Sequence, residues 1–277
     1  MGVNDKFECC KLCGKAFAKL AHSHVIPWGF VSQCEHAHDM SLMSEGEYPK
    51  RRNKGIYDDH ILCDECEHNY FYLPDDYAVR IYRDLQGSEA IVNQANKNLR
   101  YIRFGSVDRR MLRMFFATVL WRCSVVQCAE LKDFSIGEVY ERRIAADILS
   151  NGTFDYIDAV GFRYDAINPK NNLHSITESY ALPIPTRLQF DNRVANGFNF
   201  YLPNYKFGVS LDRRPNPFSF VLGRVELFDG ASPSLSNVYD GAGLMIFQGN
   251  FPEELFSKVS HAAKSSRGCK NERRCAQ

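Results

Sequence analysis

Two Cys-x-x-Cys pairs, Cys10-Lys11-Leu12-Cys13 and Cys63-Asp64-Glu65-Cys66, constrain this chain more than any other feature. Each pair places two thiols on one short turn, and two such turns supply the four ligands of a tetrahedral structural zinc site. Unrelated buried or redox thiols are the competing explanation, but one metal accounts for both pairs at once. The surroundings fit: residues 1–76 hold six of the ten cysteines, six of the eight histidines and 8 Lys/Arg against 13 Asp/Glu, although the whole chain carries only +1. Met1 to Glu8 contains Asp5, Lys6 and Glu8 and lacks the apolar core of a secretory leader, so disulfides are the weaker account of the cysteines and a cytoplasmic location is expected. The longest apolar-rich stretch, Met111 to Val126, includes Arg113 and Arg122 and falls short of the roughly 20 residues that span a bilayer, so no membrane association is expected.

Forty-nine residues separate Cys13 from Cys63, more than a compact zinc ribbon needs, which implies a functional insertion between the two knuckles. Cys9 is an alternative to Cys10 in the tetrad, and Cys34 with His36 and His38 offers a second cluster. Inside the interval, Ala21-His22-Ser23-His24-Val25-Ile26-Pro27 reads as extended, and Gly46 to Gly55 as a polar loop. Asp58-Asp59-His60-Ile61-Leu62 leads into the second pair, Glu67-His68 follows it, and Cys63 to Tyr72 reads as a turn entering a helix.

This order, a CxxC, then a His-Val-Ile-Pro strand, then Leu-Cys-x-x-Cys opening a helix, resembles the zinc-supported HNH endonucleases with their ββα-metal core. The resemblance covers about residues 9–72. It implies a treble-clef zinc module, a general-base histidine at His24, and a hard divalent cation, Mg²⁺ or Mn²⁺, that stabilises charge on the scissile phosphate. The pattern departs in three places. Ser23 stands where the family has an acidic or imidazole ligand, Asp58, Asp59 and His60 stand where an asparagine is expected, and Glu67 replaces a histidine. Asp58 or Asp59 together with Glu67 could rebuild a carboxylate site of the kind Mg²⁺ prefers. His22, His36, His38 and His68 read as surface or supporting groups.

Leu73-Pro74-Asp75-Asp76 reads as a turn or helix start and sets an expected boundary: a zinc module over 1–76 and a second domain over 77–277. From Tyr77 to about Leu149 the pattern is helical, with a buried helix around Met111–Val126 and another over Ile136–Leu149 with Ser135 as a possible cap. Phe154–Ile157, Phe198–Leu202, Phe207–Leu211, Phe218–Val225 and Gly243–Phe247 read as strands, Phe251–Ala263 as a closing helix, and 264–277 as a basic tail. The expected class is α+β: an N-terminal zinc module, a helical middle and a mixed strand-rich C-terminal domain.

Lys97, Arg100, Arg103, Arg109, Arg110 and Arg113 lie within 17 residues with Tyr101 and Phe104 interleaved, a composition that suits phosphate forks and base stacking. Arg100, Arg103, Arg109 and Arg110 are therefore the candidate nucleic-acid contacts; a solvated helix face pairing with the acidic N-terminal region is the bland alternative. The expected function is a divalent-metal-dependent endonuclease acting on nucleic acid, DNA ahead of RNA. A regulatory protein partner or self-association would restrain it, as in bacterial or phage-related defence effectors. A non-catalytic zinc-finger protein that binds nucleic acid or another protein is the rival from a different class.

Overall fold

A computed structural model describes residues 7–32, 41–42, 50–51, 55–86, 91–92, 100–104, 107–164, 181–190, 193–202, 205–212 and 244–249. The strand expected over Phe218–Val225, the helix over Phe251–Ala263, the basic tail, Lys97, and the Cys34, His36 and His38 group lie outside the described residues. Among the described residues no helix is long and apolar enough to cross a membrane.

The N-terminal part is built from two-residue strand pairs around short turns. Strand β1 (Glu8–Cys9) pairs antiparallel with β2 (Ala16–Phe17), and β3 (Ser23–His24) pairs with β6 (Tyr57–Asp58), putting Ser23 opposite Asp58 and His24 opposite Tyr57. Between these lie a four-residue helix, α1 (Trp28–Val31), and the pair β4 (Ser41–Leu42) and β5 (Lys50–Arg51). Gly29 of α1 sits so close to the next long helix that an added Cβ would lie 2.7 Å from a Val79 methyl, so only glycine permits this approach.

After the second Cys-x-x-Cys the chain is helical without a break from α2 (Asp64–Cys66), through one wide turn at Glu67–Phe71, into α3 (Tyr72–Gln86). The turn or helix start expected at Leu73–Asp76 thus falls in the first turn of α3, within a helix continuous from Asp64. Pro74 cannot donate an amide to the preceding turn, and the wide, π-type turn lies immediately upstream, where it absorbs the missing hydrogen bond without ending the helix. The expected boundary near Asp76 falls inside α3.

Residues 77–149 are also less helical than their pattern suggests. Ile91–Val92 (β7) and Arg100–Phe104 (β8) are strands, as β-branched and aromatic residues favour once a sheet is available to receive them. The middle then becomes helical: α4 (Arg109–Val125), capped by the Asp108 carboxylate accepting from the Met111 amide at 3.1 Å, and α5 (Glu138–Leu149). Ser135 does not cap α5; its hydroxyl accepts from Gly137 N–H at 3.0 Å, making a local turn instead. Every residue of α4 from Met114 to Cys123 is buried, as its apolar residues on several faces require.

Strands β9 (Ile157–Tyr164), β10 (Ala181–Phe190), β11 (Arg193–Leu202), β12 (Tyr205–Leu211) and β13 (Leu244–Gly249) join β7 and β8 in one seven-stranded sheet, ordered β10-β11-β12-β9-β13-β8-β7. It is mixed: β13 runs parallel to β9, and every other pairing is antiparallel. The fold is α+β. Helix α4 is its centre, with Trp121 against Phe71 and Phe115 against Phe30 on the zinc-module side, and Phe116 against Phe200 and Phe207 of the sheet. Tyr205 closes the layers by donating to the Leu85 carbonyl at 2.8 Å. One cluster of buried side chains therefore runs from Cys10 to Leu211.

Candidate functional site

The first knuckle is a hairpin turn held by backbone bonds. Cys10 N–H donates to the Lys15 carbonyl and Gly14 N–H to the Cys10 carbonyl, both at 2.9 Å, and Gly14 takes a φ of +72°, which glycine adopts without strain. Lys11 N–H reaches the Ile61 carbonyl at 2.8 Å and Ala21 N–H the Leu62 carbonyl at 2.7 Å, locking the first knuckle onto the second. Cys63 caps the start of α2 and Cys66 lies in its first turn, so both thiols sit at a helix N-terminus, where backbone dipoles favour thiolate.

The four sulfurs of Cys10, Cys13, Cys63 and Cys66 lie within 4.8 Å of one another, and Cys13 Sγ to Cys63 Sγ is 4.0 Å. Zinc–sulfur bonds of about 2.3 Å in a tetrahedron place sulfurs about 3.8 Å apart, so this group fits a structural zinc site. Burial pushes the Cys63 and Cys66 thiols up. Cys10 feels the same burial, yet the backbone amides of Cys13, Cys63 and Leu12 aimed at its sulfur bring it down. Thiolates enclosed this way need a cation to offset their charge. Cys9, the alternative ligand, is exposed on β1 and is not in the group.

The candidate catalytic residues lie on the neighbouring β3–β6 pair and on the helix that follows. Side chains alternate along the strand: Ser23 is fully buried, while His22 and His24 on either side reach the surface. Ser23 Oγ donates to Glu67 Oε2 at 2.8 Å, so two of the three positions that depart from the HNH pattern touch each other. Asp58 is turned inward and committed, since its Oδ1 accepts from His60 N–H at 2.7 Å and its Oδ2 from Gln127 N–H at 2.9 Å. That second bond ties the hairpin to the end of α4. Asp58→Ala would strand two amide donors, and about 2–3 kcal/mol of stability should be lost with no change in zinc content; urea unfolding with elemental analysis checks both.

Asp59 turns outward, and its Oδ1 lies 2.7 Å from His22 Nδ1. His22 also packs on the Tyr57 ring at 3.8 Å between centroids and meets His24 edge-on at 5.2 Å. His24 has Trp28 and Tyr57 each 6.2 Å away. His68 stacks on the exposed ring of Tyr72, while His60 bonds Glu8 at 2.6 Å, a contact that raises its pKa from the ordinary range. Asp58, Asp59 and Glu67 thus do not converge: one binds backbone, one binds His22 and one binds Ser23. Among the described residues the four cysteines are the one group of three or more Cys, His, Asp or Glu near enough to share a metal. The four cysteines fit zinc, and among the described residues no second group of three or more ligands gathers for the expected Mg²⁺ or Mn²⁺.

The candidate nucleic-acid arginines divide between two elements. Arg100 and Arg103 are on β8, and Arg109 and Arg110 open α4. Arg110 donates to the Gly152 carbonyl at 3.0 Å and to Asn151, and Arg113 pairs with Asp155 at 3.2 Å, so these two fasten α4 to the turn after α5. The sequence places His22 among surface or supporting groups; the alternation His22-x-His24 on an extended segment is the signal that the two imidazoles share a face. Sequence reasoning passed over the buried pair of Asp75 and Arg122, joined by two hydrogen bonds of 2.8 Å.

No family model, curated protein or solved structure matches the chain.

Proposed function

We propose that the zinc-fastened N-terminal part is an HNH-like nuclease module in which His24 is the general base for phosphodiester cleavage. The observation that carries this reading is spatial. A two-stranded antiparallel pair, β3–β6, presents His24 half-exposed at the surface, and the helix entered through the second cysteine pair brings Glu67 to the residue beside it. This arrangement supports the reading of a ββα unit on a treble-clef knuckle, with an imidazole that is accessible and flanked by aromatic rings, as a general base needs.

Ser23 and Glu67 support the module by holding β3 to the helix, and no step is assigned to a second metal, because the carboxylates do not gather to bind one. The proposed polyanion contacts fall on β8, which carries Arg100 and Arg103, and on the first turn of α4, which carries Arg109 and Arg110; Arg110 is engaged by Gly152 and Asn151. His24→Ala should lower cleavage by about 10²–10⁴-fold, the usual worth of a positioned base. Zinc content and thermal unfolding should remain at wild-type values. Labelled RNA and plasmid DNA, each incubated with purified wild type and variant, measure it, and equal cleavage by the two would remove the assignment.

A non-catalytic zinc protein that binds nucleic acid is the second reading, favoured by the commitment of Asp58 to backbone donors. It predicts salt-sensitive binding with no cleavage of either polymer under any divalent ion.

A further inference from the structure

We infer that His22 is a second catalytic imidazole, and that the pair His22 and His24 cleaves RNA by transfer to the neighbouring 2′-hydroxyl, without a catalytic metal. The inference rests on the nuclease reading of His24 and specifies its substrate class.

Four observations carry it. His22 and His24 lie two residues apart on an extended segment, so both face outward on one side while Ser23 points in. Their rings are 5.2 Å apart, close enough for both to reach the oxygens around one phosphorus. His22 is fixed in orientation: a carboxylate only accepts, so Nδ1 carries the hydrogen shared with Asp59 at 2.7 Å, and Nε2 is the nitrogen left to exchange a proton with a ligand. Finally, among the described residues Asp58, Asp59 and Glu67 are each engaged elsewhere and do not gather as a three-ligand cation site, whereas the two imidazoles stand together.

Two imidazoles suffice for one polymer and not the other. In RNA, His24 enters as the neutral imidazole and takes the proton from the 2′-hydroxyl, the 2′-oxygen bonds to phosphorus, the bond from phosphorus to the 5′-oxygen breaks, and His22, entering as the imidazolium with its Nδ1–H held by Asp59, gives its Nε2 proton to that leaving oxygen. The products are a 2′,3′-cyclic phosphate and a 5′-hydroxyl end, with no oxidant, water or metal consumed. DNA lacks the internal nucleophile. The 2′-hydroxyl is the group by which proteins distinguish RNA from DNA, and here it would be the reactant. Tyr57, 39% exposed against His22, and Trp28 near His24 give the bases flanking the scissile bond aromatic faces on which to stack.

The test uses the full chain and a pair of oligonucleotides of one sequence, RNA and DNA, in citrate, which withholds Mg²⁺ and Mn²⁺ but is too weak to strip zinc from four thiolates. RNA should be cut to cyclic-phosphate ends and DNA left intact. His22→Gln should slow RNA cleavage by about 10²-fold or more, as loss of a general acid does. An RNA whose leaving 5′-oxygen is replaced by sulfur needs no proton at that atom, so it should restore cleavage by His22→Gln but not by His24→Gln. Cleavage of both polymers only when Mg²⁺ or Mn²⁺ is supplied, with His22→Gln unaffected, would overturn the inference and leave the nuclease reading standing. Failure of wild type to cut either polymer, with or without metal, would overturn both, and RNA cleavage by His22→Gln at the wild-type rate would overturn the role of His22.

Discussion

Cys66→Ser is expected to empty the zinc site and unfold the N-terminal part while the large sheet persists. A serine hydroxyl does not ionise to a ligand near neutral pH, so three thiols remain, and burial holds that of Cys63 against ionisation. Structural zinc supplies on the order of 10 kcal/mol of apparent binding free energy, comparable to the whole stability of a domain. Packing of Phe30 on Tyr82 and Phe115 and the Asp58–Gln127 bond also hold residues 7–32 and 55–66, but the knuckles themselves lean on the metal. Their strands are two residues long, and their buried side chains, among them Leu12, Val25, Ile61 and Leu62, belong to the same buried cluster as Cys10, Cys63 and Cys66. Zinc should fall from about one equivalent to well under half. Amides of those two segments should exchange at nearly unfolded rates, whereas β9 to β12, anchored on α4 through Phe116, should keep their protection. Zinc retained at the wild-type level, or loss of protection across the sheet as well, would show that metal and fold are coupled differently.

The four-cysteine cluster that fits zinc was legible because its information is local: a Cys-x-x-Cys needs only a turn to bring two thiols together, and two such turns suit one metal. The surface around His24 was partly legible for the same reason, since alternation on an extended segment decides which residues share a face. What could not be read was the fate of the carboxylates. Asp58 and Asp59 are adjacent and chemically identical, yet one accepts a hydrogen bond from Gln127, 69 residues away, and the other meets His22 at the surface. The pleat of β6 separates them, and nothing in the local pattern says which of the two has a distant donor waiting.

The helical middle shows the reverse case. The buried helix α4 was plain from apolar residues on several faces, but Arg100–Phe104 was absorbed into the same helical stretch because five residues with two arginines carry little periodic signal. Its strand identity depends on β13, whose residues Leu244 to Phe247 pair with it from across the chain. Pro74 misled in the other direction. Proline normally marks a helix start or stop, but here a wide turn beside it lets the helix continue.

That continuous helix carries Asp75 inward to Arg122 of α4, and Arg122→Met should be the most costly single substitution outside the zinc site. The guanidinium is buried, lies 5.3 Å from the Phe71 ring centre and makes two hydrogen bonds to the Asp75 carboxylate. Methionine keeps much of the packing but leaves a carboxylate enclosed without a counter-charge, a loss of about 3–5 kcal/mol. The pH dependence separates this cause from lost contacts. Burial pushes the Asp75 carboxyl up to about 6, although the Arg122 charge and hydrogen bonds pull it down; without Arg122 it must rise further. A folded-state pKa above the unfolded value of about 3.9 means that the folded protein holds the proton more tightly, so stability from this group is present in acid and is lost as pH rises through the folded pKa. The gap between wild type and Arg122→Met should therefore widen above pH 6 and narrow toward pH 4, where Asp75 is neutral in both. Adding Asp75→Leu to Arg122→Met should recover most of the loss, since apolar replacement of a whole buried pair is often close to neutral, and Arg122 Nε has no hydrogen-bond partner to lose. Urea unfolding across that pH range measures all three proteins, and a gap that stays constant with pH would mean that packing, not the stranded carboxylate, sets the cost.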